Sequence, residues 1–217
     1  MRQLILDLIP DTPPTLENFA VGGNADALTA LTAWLSPDNR ETCLYLWGDS
    51  GAGKSHLLRA VGASLADAGA DPALAALDRE GACLAVDNVE ALDADGQIVL
   101  FNQFNRLRAN GGRLLAAGRV PPLQLALRED LRTRLGSGLI FRLRPLSDAE
   151  KVAALGEQAG RRGLRLPPEA LDYLLARAPR DMRSLSALLA ALDRYSLEHN
   201  RPVTLPLLRE VLQAPTD

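Results

Sequence analysis

Cysteine is scarce: the 217-residue chain has two, Cys43 and Cys83, each inside a short apolar run, with no CxxC spacing and no histidine cluster beside it. Both are expected to be buried thiols, without a metal or redox role. Long hydrophobic runs are also missing. The first apolar stretch carries one basic residue, Arg2, and is interrupted by Asp7 and Pro10, which suits neither a secretory signal nor a membrane span of about 20 apolar residues. A cytoplasmic location and no membrane partner are expected. Charge of one sign does not dominate. With a formal net charge of -3 and an isoelectric point near 5.5, no global field draws the chain to nucleic acid or anionic lipid. Lysine is almost absent: all but Lys54 and Lys151 of the 24 basic residues are arginine, so a retained lysine marks a place where a compact ammonium is required.

What is present is a core. Hydrophobic residues make up 47% of the chain, enough for a globular domain plus a small appendage. Helical spacing over Ala25 to Leu35, an apolar run from Thr42 to Trp47, helical spacing again over Lys54 to Ala68 and a buried run at Cys83 to Val86 alternate helix with strand. Ile98 to Leu107 reads as helix, Arg113 to Ala117 as strand, Asp130 to Leu135 as a short helix and Leu139 to Leu143 as strand. Four strands separated by helices predict an α/β fold with a parallel sheet. From Ser147 onward every pattern has helical period: Ser147 and Glu150 form a capping box, Pro167-Pro168 opens a helix, Met182 to Leu197 is amphipathic, and Thr204 is placed to cap the last. The expected division is a tail over residues 1–16, a base domain over 17–146 and a small all-helical lid over 147–217.

Gly48, Asp49, Ser50, Gly51, Ala52, Gly53, Lys54 and Ser55, followed by His56, match G-x-x-x-x-G-K-[ST] between a predicted strand and a predicted helix. Glycines let backbone N–H groups converge on phosphate oxygens at a helix N-terminus. Lys54 is placed to reach the β and γ phosphates and Ser55 to hold Mg²⁺. Asp87 closes the next strand, where it is placed to act on the magnesium shell beside Ser55. Asn88 follows it, and an amide cannot take a proton from water. Binding of ATP or ADP with Mg²⁺ is therefore better supported than hydrolysis.

The loop continued to Leu58, Asp87-Asn88-Val89-Glu90, Leu131-Arg132-Thr133-Arg134-Leu135 and Arg180-Asp181-Met182-Arg183-Ser184-Leu185 occur in this order. Together they resemble the AAA+ module of the DnaA replication initiators, and more closely their shortened paralogues, the Hda family of DnaA inactivators. Gly118 to Pro122 and Phe141 to Lys151 add to that likeness, which spans Leu16 to Leu212. The resemblance implies a P-loop AAA+ sheet flanked by helices and followed by a helical lid. It makes Arg134 an arginine finger acting in trans, Arg183 a lid arginine that touches nucleotide, and Phe19, Val21 and Gly22 neighbours of the adenine. Gln3, Leu4, Ile5, Leu6 and Leu8 resemble the peptide by which that family binds the DNA polymerase III β sliding clamp.

Three departures qualify these expectations. Ala116-Ala117-Gly118 lacks the polar residue with which the family senses the γ-phosphate. The segment from Gly69 to Ala82 is short, so the edge strand of the sheet is expected to be missing and initiator-like filaments are doubtful. No helix-turn-helix domain is expected after the lid, and DNA is expected only through the clamp; homo-oligomerisation is left open. Residues 106 to 144 hold nine arginines against Glu129 and Asp130, read as a solvated, partner-facing surface in preference to a phosphate-contacting patch. Three functions stand: an Hda-like regulator that promotes hydrolysis of DnaA-bound ATP, an adaptor of helicase-loader type that does not, and an independent P-loop ATPase or small-molecule kinase.

Overall fold

Gly62, with a φ of +65°, ends a helix that its aliphatic spacing alone would have carried further. In the computed structural model, which describes residues 13–208 apart from Arg79, Arg165, Arg180, Asn200, Arg201, Leu205 and Leu207, the chain forms α1 (Ala25–Trp34), β1 (Cys43–Trp47), α2 (Lys54–Ala60) and β2 (Ser64–Asp67). β3 (Cys83–Asp87), α3 (Ala94–Ala109), β4 (Arg113–Gly118), α4 (Glu129–Leu135) and β5 (Leu139–Arg142) follow. Single 3-10 turns lie at Gly22–Asn24, Val89–Ala91 and Pro122–Gln124.

All five strands are parallel, in the order β2-β3-β4-β1-β5. The register Leu44↔Leu115 and Tyr45↔Ala116 sorts side chains strictly by face. Tyr45, Leu84, Val86, Leu114 and Ala116 pack with Leu100, Phe104 and Leu107 of α3 and Leu131 and Leu135 of α4. Leu44, Leu46, Ala85, Leu115 and Ala117 face Leu31 and Trp34 of α1 and Leu57 and Leu58 of α2. Both faces are covered, so the strands read as continuous apolar runs without alternation.

Two expectations are corrected here. The helix expected over Lys54 to Ala68 stops at Ala60, and four of its residues, Ser64 to Asp67, become the edge strand β2, in register with Leu84 to Asp87. The sheet therefore has five strands, and the edge strand expected to be missing is present. It is built upstream of the short 69–82 segment. Leu57, Leu58 and Val61 meet the core at helical spacing, whereas Leu65 is 39% exposed on the edge strand, and a spacing rule cannot separate these two outcomes for a single terminal residue.

Residues Pro14–Pro145 form one compact unit and the chain from Leu146 a second. The second holds α5 (Asp148–Arg161), α6 (Pro168–Arg177) and α7 (Met182–His199) around Leu155, Leu174, Leu185 and Leu189. The Ser147–Glu150 capping box is formed from both sides. Thr204 accepts from the Leu208 amide at 3.0 Å; most of the helix it was expected to cap lies outside the described residues.

Cys43 is fully buried, and desolvation, reinforced by Glu41, pushes its thiol up to about 12. Cys83, also expected to be buried, is only half-buried at the start of β3; that burial raises its thiol, opposed by Arg113. A thiol kept neutral in the fold but free to ionise near its ordinary value of 9.0 in the unfolded chain contributes stability below that pH. The contribution is lost as pH rises towards 12. Iodoacetamide at pH 8 is expected to label Cys43 only at the rate of global unfolding; rapid labelling of the native protein would contradict this burial.

Candidate functional site

The Gly48–Ser55 loop runs from the end of β1 into α2. Gly48 has a φ of +147°, and a Cβ there would lie 2.1 Å from the Leu143 carbonyl oxygen. Its amide donates to the Gly118 carbonyl at 3.3 Å, so the loop starts against the ends of β4 and β5. Gly53 sits at φ +94°, and a Cβ would come within 2.6 Å of the Phe19 ring. Only glycine satisfies both the left-handed backbone and the close approach.

Lys54, 8% exposed, donates from Nζ to the carbonyls of Gly48 at 2.7 Å and Asp49 at 3.0 Å. Burial lowers its pKa, opposed chiefly by Asp87 and then by Glu90. Ser55 Oγ donates to Asp87 Oδ2, while Asp87 Oδ1 accepts the Asn88 amide at 2.9 Å. The structure thus brings Lys54, Ser55 and Asp87 together. Among the described residues no group of three potential metal-ligating side chains occurs. A hydroxyl beside one carboxylate suits a hard cation that takes most of its ligands from phosphate and water, as Mg²⁺ does.

Asn88 adopts a left-handed conformation, φ +53°, which asparagine tolerates better than most residues. Its Nδ2 donates to Asp67 Oδ1 at 2.8 Å, and that oxygen also accepts the Gly69 amide at 2.9 Å. The residue beside Asp87 is therefore tied to the edge strand. Asp67 carried no signal in the sequence, because its role depends on Ser64–Asp67 being a strand.

Phe19 is 8% exposed and its ring centroid lies 5.5 Å from that of His56. His56 Nε2 is 2.9 Å from the Thr15 carbonyl; a carbonyl only accepts, so this nitrogen carries the proton. Burial lowers the His56 pKa and keeps the ring neutral at pH 7. Val21 is half-buried and Gly22 exposed in the turn before α1. That turn ends in Asn24, 3% exposed, whose amide group donates to the Arg144 carbonyl at 2.9 Å and accepts the Arg144 amide at 2.8 Å. Asn24 directly precedes α1, and its side chain does not cap that helix.

Arg134 lies in the last turn of α4. Its guanidinium carbon is 5.7 Å from the Phe101 centroid and 5.8 Å from that of Phe104, both on α3. Asp130, one turn away, is taken by Arg128 at 2.7 Å and by the Leu131 amide. No ion pair to Arg134 occurs among the described residues. It borders a shallow cavity of about 660 Å³ with Phe101, Arg128, Asp130 and Thr133. The arginine-rich stretch is not one solvated surface, contrary to expectation. Arg106 donates to the Gly81 carbonyl, and Arg113 holds the carbonyls of Leu35 and Ser36 at the end of α1. Guanidinium groups here satisfy backbone carbonyls left open past the end of α1 and ahead of β3.

Arg183 is exposed on α7 in the helical unit, and Arg180 lies outside the described residues. So do Gln3, Leu4, Ile5, Leu6 and Leu8.

Residues 148–212 match the family model of the Hda lid domain. Domain III of the replication initiation protein DnaA from Thermotoga maritima is similar over 94% of this chain and 98% of its own, at 23% identity and a TM-score of 0.71. AMPPCP-bound DnaA from Aquifex aeolicus is similar over 89% of this chain and 71% of its own, at 23% identity and a TM-score of 0.68. A RuvB variant from Thermotoga maritima follows over 93% and 72%, at 18% identity and a TM-score of 0.62. These likenesses establish the AAA+ fold.

Replacing Gly53 by alanine forces a methyl group onto Phe19 at a φ of +94°. A loss of at least about tenfold in affinity for a fluorescent adenine nucleotide is expected, with the melting temperature measured in parallel to show that the domain folds. Unchanged affinity would show that the loop conformation does not govern binding.

Proposed function

We propose that this chain, an Hda-like and DnaA-related AAA+ protein, is a cytoplasmic regulator of replication initiation that donates Arg134 to the ATP site of DnaA. It holds ADP or ATP through the Gly48–Ser55 loop, docks on the sliding clamp through Gln3 to Leu8, and reaches DNA only through that clamp. The observation that carries the reading is the seat of Arg134: a guanidinium resting on Phe101 and Phe104 and engaged with no carboxylate among the described residues. Its transfer to a partner's phosphates breaks no ion pair.

In its own site, Ser55 and Asp87 would hold Mg²⁺, which supplies charge neutralisation at the phosphates. Lys54 turns its ammonium from the loop carbonyls to phosphate oxygens. Asn88, bound to Asp67, accepts no proton, so this subunit is suited to retaining nucleotide and activating a neighbour. An arginine finger accelerates phosphoryl transfer by ~10³ to 10⁵, about 4 to 7 kcal/mol of transition-state stabilisation. Arg183 would touch the nucleotide in its own subunit, and Phe19, Val21 and Gly22 would flank the adenine. No described helix is long and apolar enough to cross a membrane.

The test is ATP hydrolysis by DnaA in the presence of DNA-loaded clamp. The intact protein is expected to stimulate it; Arg134→Ala is expected to return the rate to the unstimulated level while nucleotide binding persists. A chain lacking residues 1–10 is expected to stimulate only at far higher concentration. A folded, nucleotide-loaded, clamp-binding protein that gives no stimulation would put the adaptor reading in its place. Hydrolysis by the protein alone, indifferent to DnaA and clamp, would make it an independent ATPase.

A further inference from the structure

β4 ends at Gly118, whose carbonyl accepts the amide of Gly48, the first residue of the phosphate loop. The space a side chain would need at this position is already filled. A Cβ on Gly118 would lie 2.2 Å from the Tyr45 hydroxyl and 2.9 Å from Glu90 Oε2. Glu90 reaches this spot from the turn that follows Asp87. One of its oxygens, Oε1, is 3.4 Å from Arg119 Nε. The other, Oε2, is shielded from solvent and accepts no hydrogen bond among the described residues. An acceptor left in that condition is costly to bury, and its charge is felt across the loop: Glu90 ranks next to Asp87 among the carboxylates that act on the Lys54 ammonium.

We propose that Glu90 is a specificity-determining residue of the nucleotide site, which sets the number of phosphates the site accepts. The inference rests on the reading of Gly48–Ser55 as a nucleotide loop and adds a selectivity to it. An anionic oxygen with no donor among the described residues, placed against the strand end that meets the loop, repels a further anion at short range. A third phosphoryl group would add negative charge within the field that Glu90 already exerts on the Lys54 ammonium, whereas a diphosphate would bring less of it. Arg119, whose side chain is 74% exposed, offsets part of that repulsion through its pairing with Oε1. Gly118 is the counterpart of this arrangement, because any side chain there would displace the carboxylate.

The experiment is competition of ADP and ATP against a fluorescent adenine nucleotide on the full chain, at equal free Mg²⁺, for the unaltered protein, Glu90→Gln and Arg119→Gln. The unaltered protein is expected to favour ADP. Glu90→Gln, which keeps the shape and removes the charge, is expected to narrow the ADP-to-ATP affinity ratio by about tenfold. Arg119→Gln, at an exposed position that leaves packing intact, is expected to widen it. Since the readout is a ratio, a general loss of folded protein lowers both affinities and leaves it unmoved. A ratio unchanged in both variants, with both nucleotides still bound, would overturn the role of Glu90 and leave the nucleotide site standing. Failure of the unaltered protein to bind either nucleotide would remove the nucleotide site itself.

Discussion

Three backbone segments meet at Gly48 with no room for a side chain between them. Its amide bonds to the end of β4, its α-carbon faces the Leu143 carbonyl, and Leu143 in turn donates to the carbonyl of Trp47. β1 is the strand between β4 and β5, so a parallel register brings all three C-terminal ends to one level. The phosphate loop, the strand end carrying Gly118 and the chain leading out of the base domain are held together by this close approach. Crevices outside the carboxyl ends of parallel strands are where α/β sheets bind ligands. Here the reason is local: strand ends expose convergent amides, and glycine lets the next turn close over them.

The charges around the loop follow from that crowding. Lys54 loses most of its water and recovers hydrogen bonds from loop carbonyls and a field from Asp87 and Glu90. Asp87 is committed on both oxygens, one to Ser55 and one to the following amide. Asn88 is committed to Asp67 on the neighbouring strand. Fixed protein partners thus hold Lys54, Ser55, Asp87 and Asn88 in one arrangement, and the position after Asp87 is an amide, which takes no proton from water.

Arg134 is held by a different kind of interaction. A cation over an aromatic face contributes about 0.5–1 kcal/mol at an exposed site, enough to bias a long side chain towards one orientation. Unlike an ion pair, it leaves the five guanidinium donors free for a bidentate contact with phosphate oxygens. The neighbouring Asp130 would compete for those donors, and its engagement by Arg128 and the Leu131 amide removes it. The same guanidinium chemistry serves stability elsewhere. Arg113 closes the end of α1 over Trp34, which is why a count of arginines between 106 and 144 overstates the binding surface.

Much of this was legible in the chain. The loop motif, the alternation of helix and strand, the Ser147–Glu150 capping box and the Lys54–Ser55–Asp87 grouping depend on residues a few positions apart or on one strand following another. Local spacing and backbone preference decide such features. The edge strand was not legible, because Ser64 to Asp67 prolongs the helical spacing of Leu57, Leu58 and Val61, and only the stop at Gly62 and the pairing offered by β3 make it a strand. Nor were the Asn88–Asp67 bond, the clasp of Arg144 by Asn24, the aromatic seat of Arg134 or the placing of Glu90 over Gly118. Each of these joins residues from 21 to 120 positions apart, and only a folded sheet can bring them within hydrogen-bonding or van der Waals range.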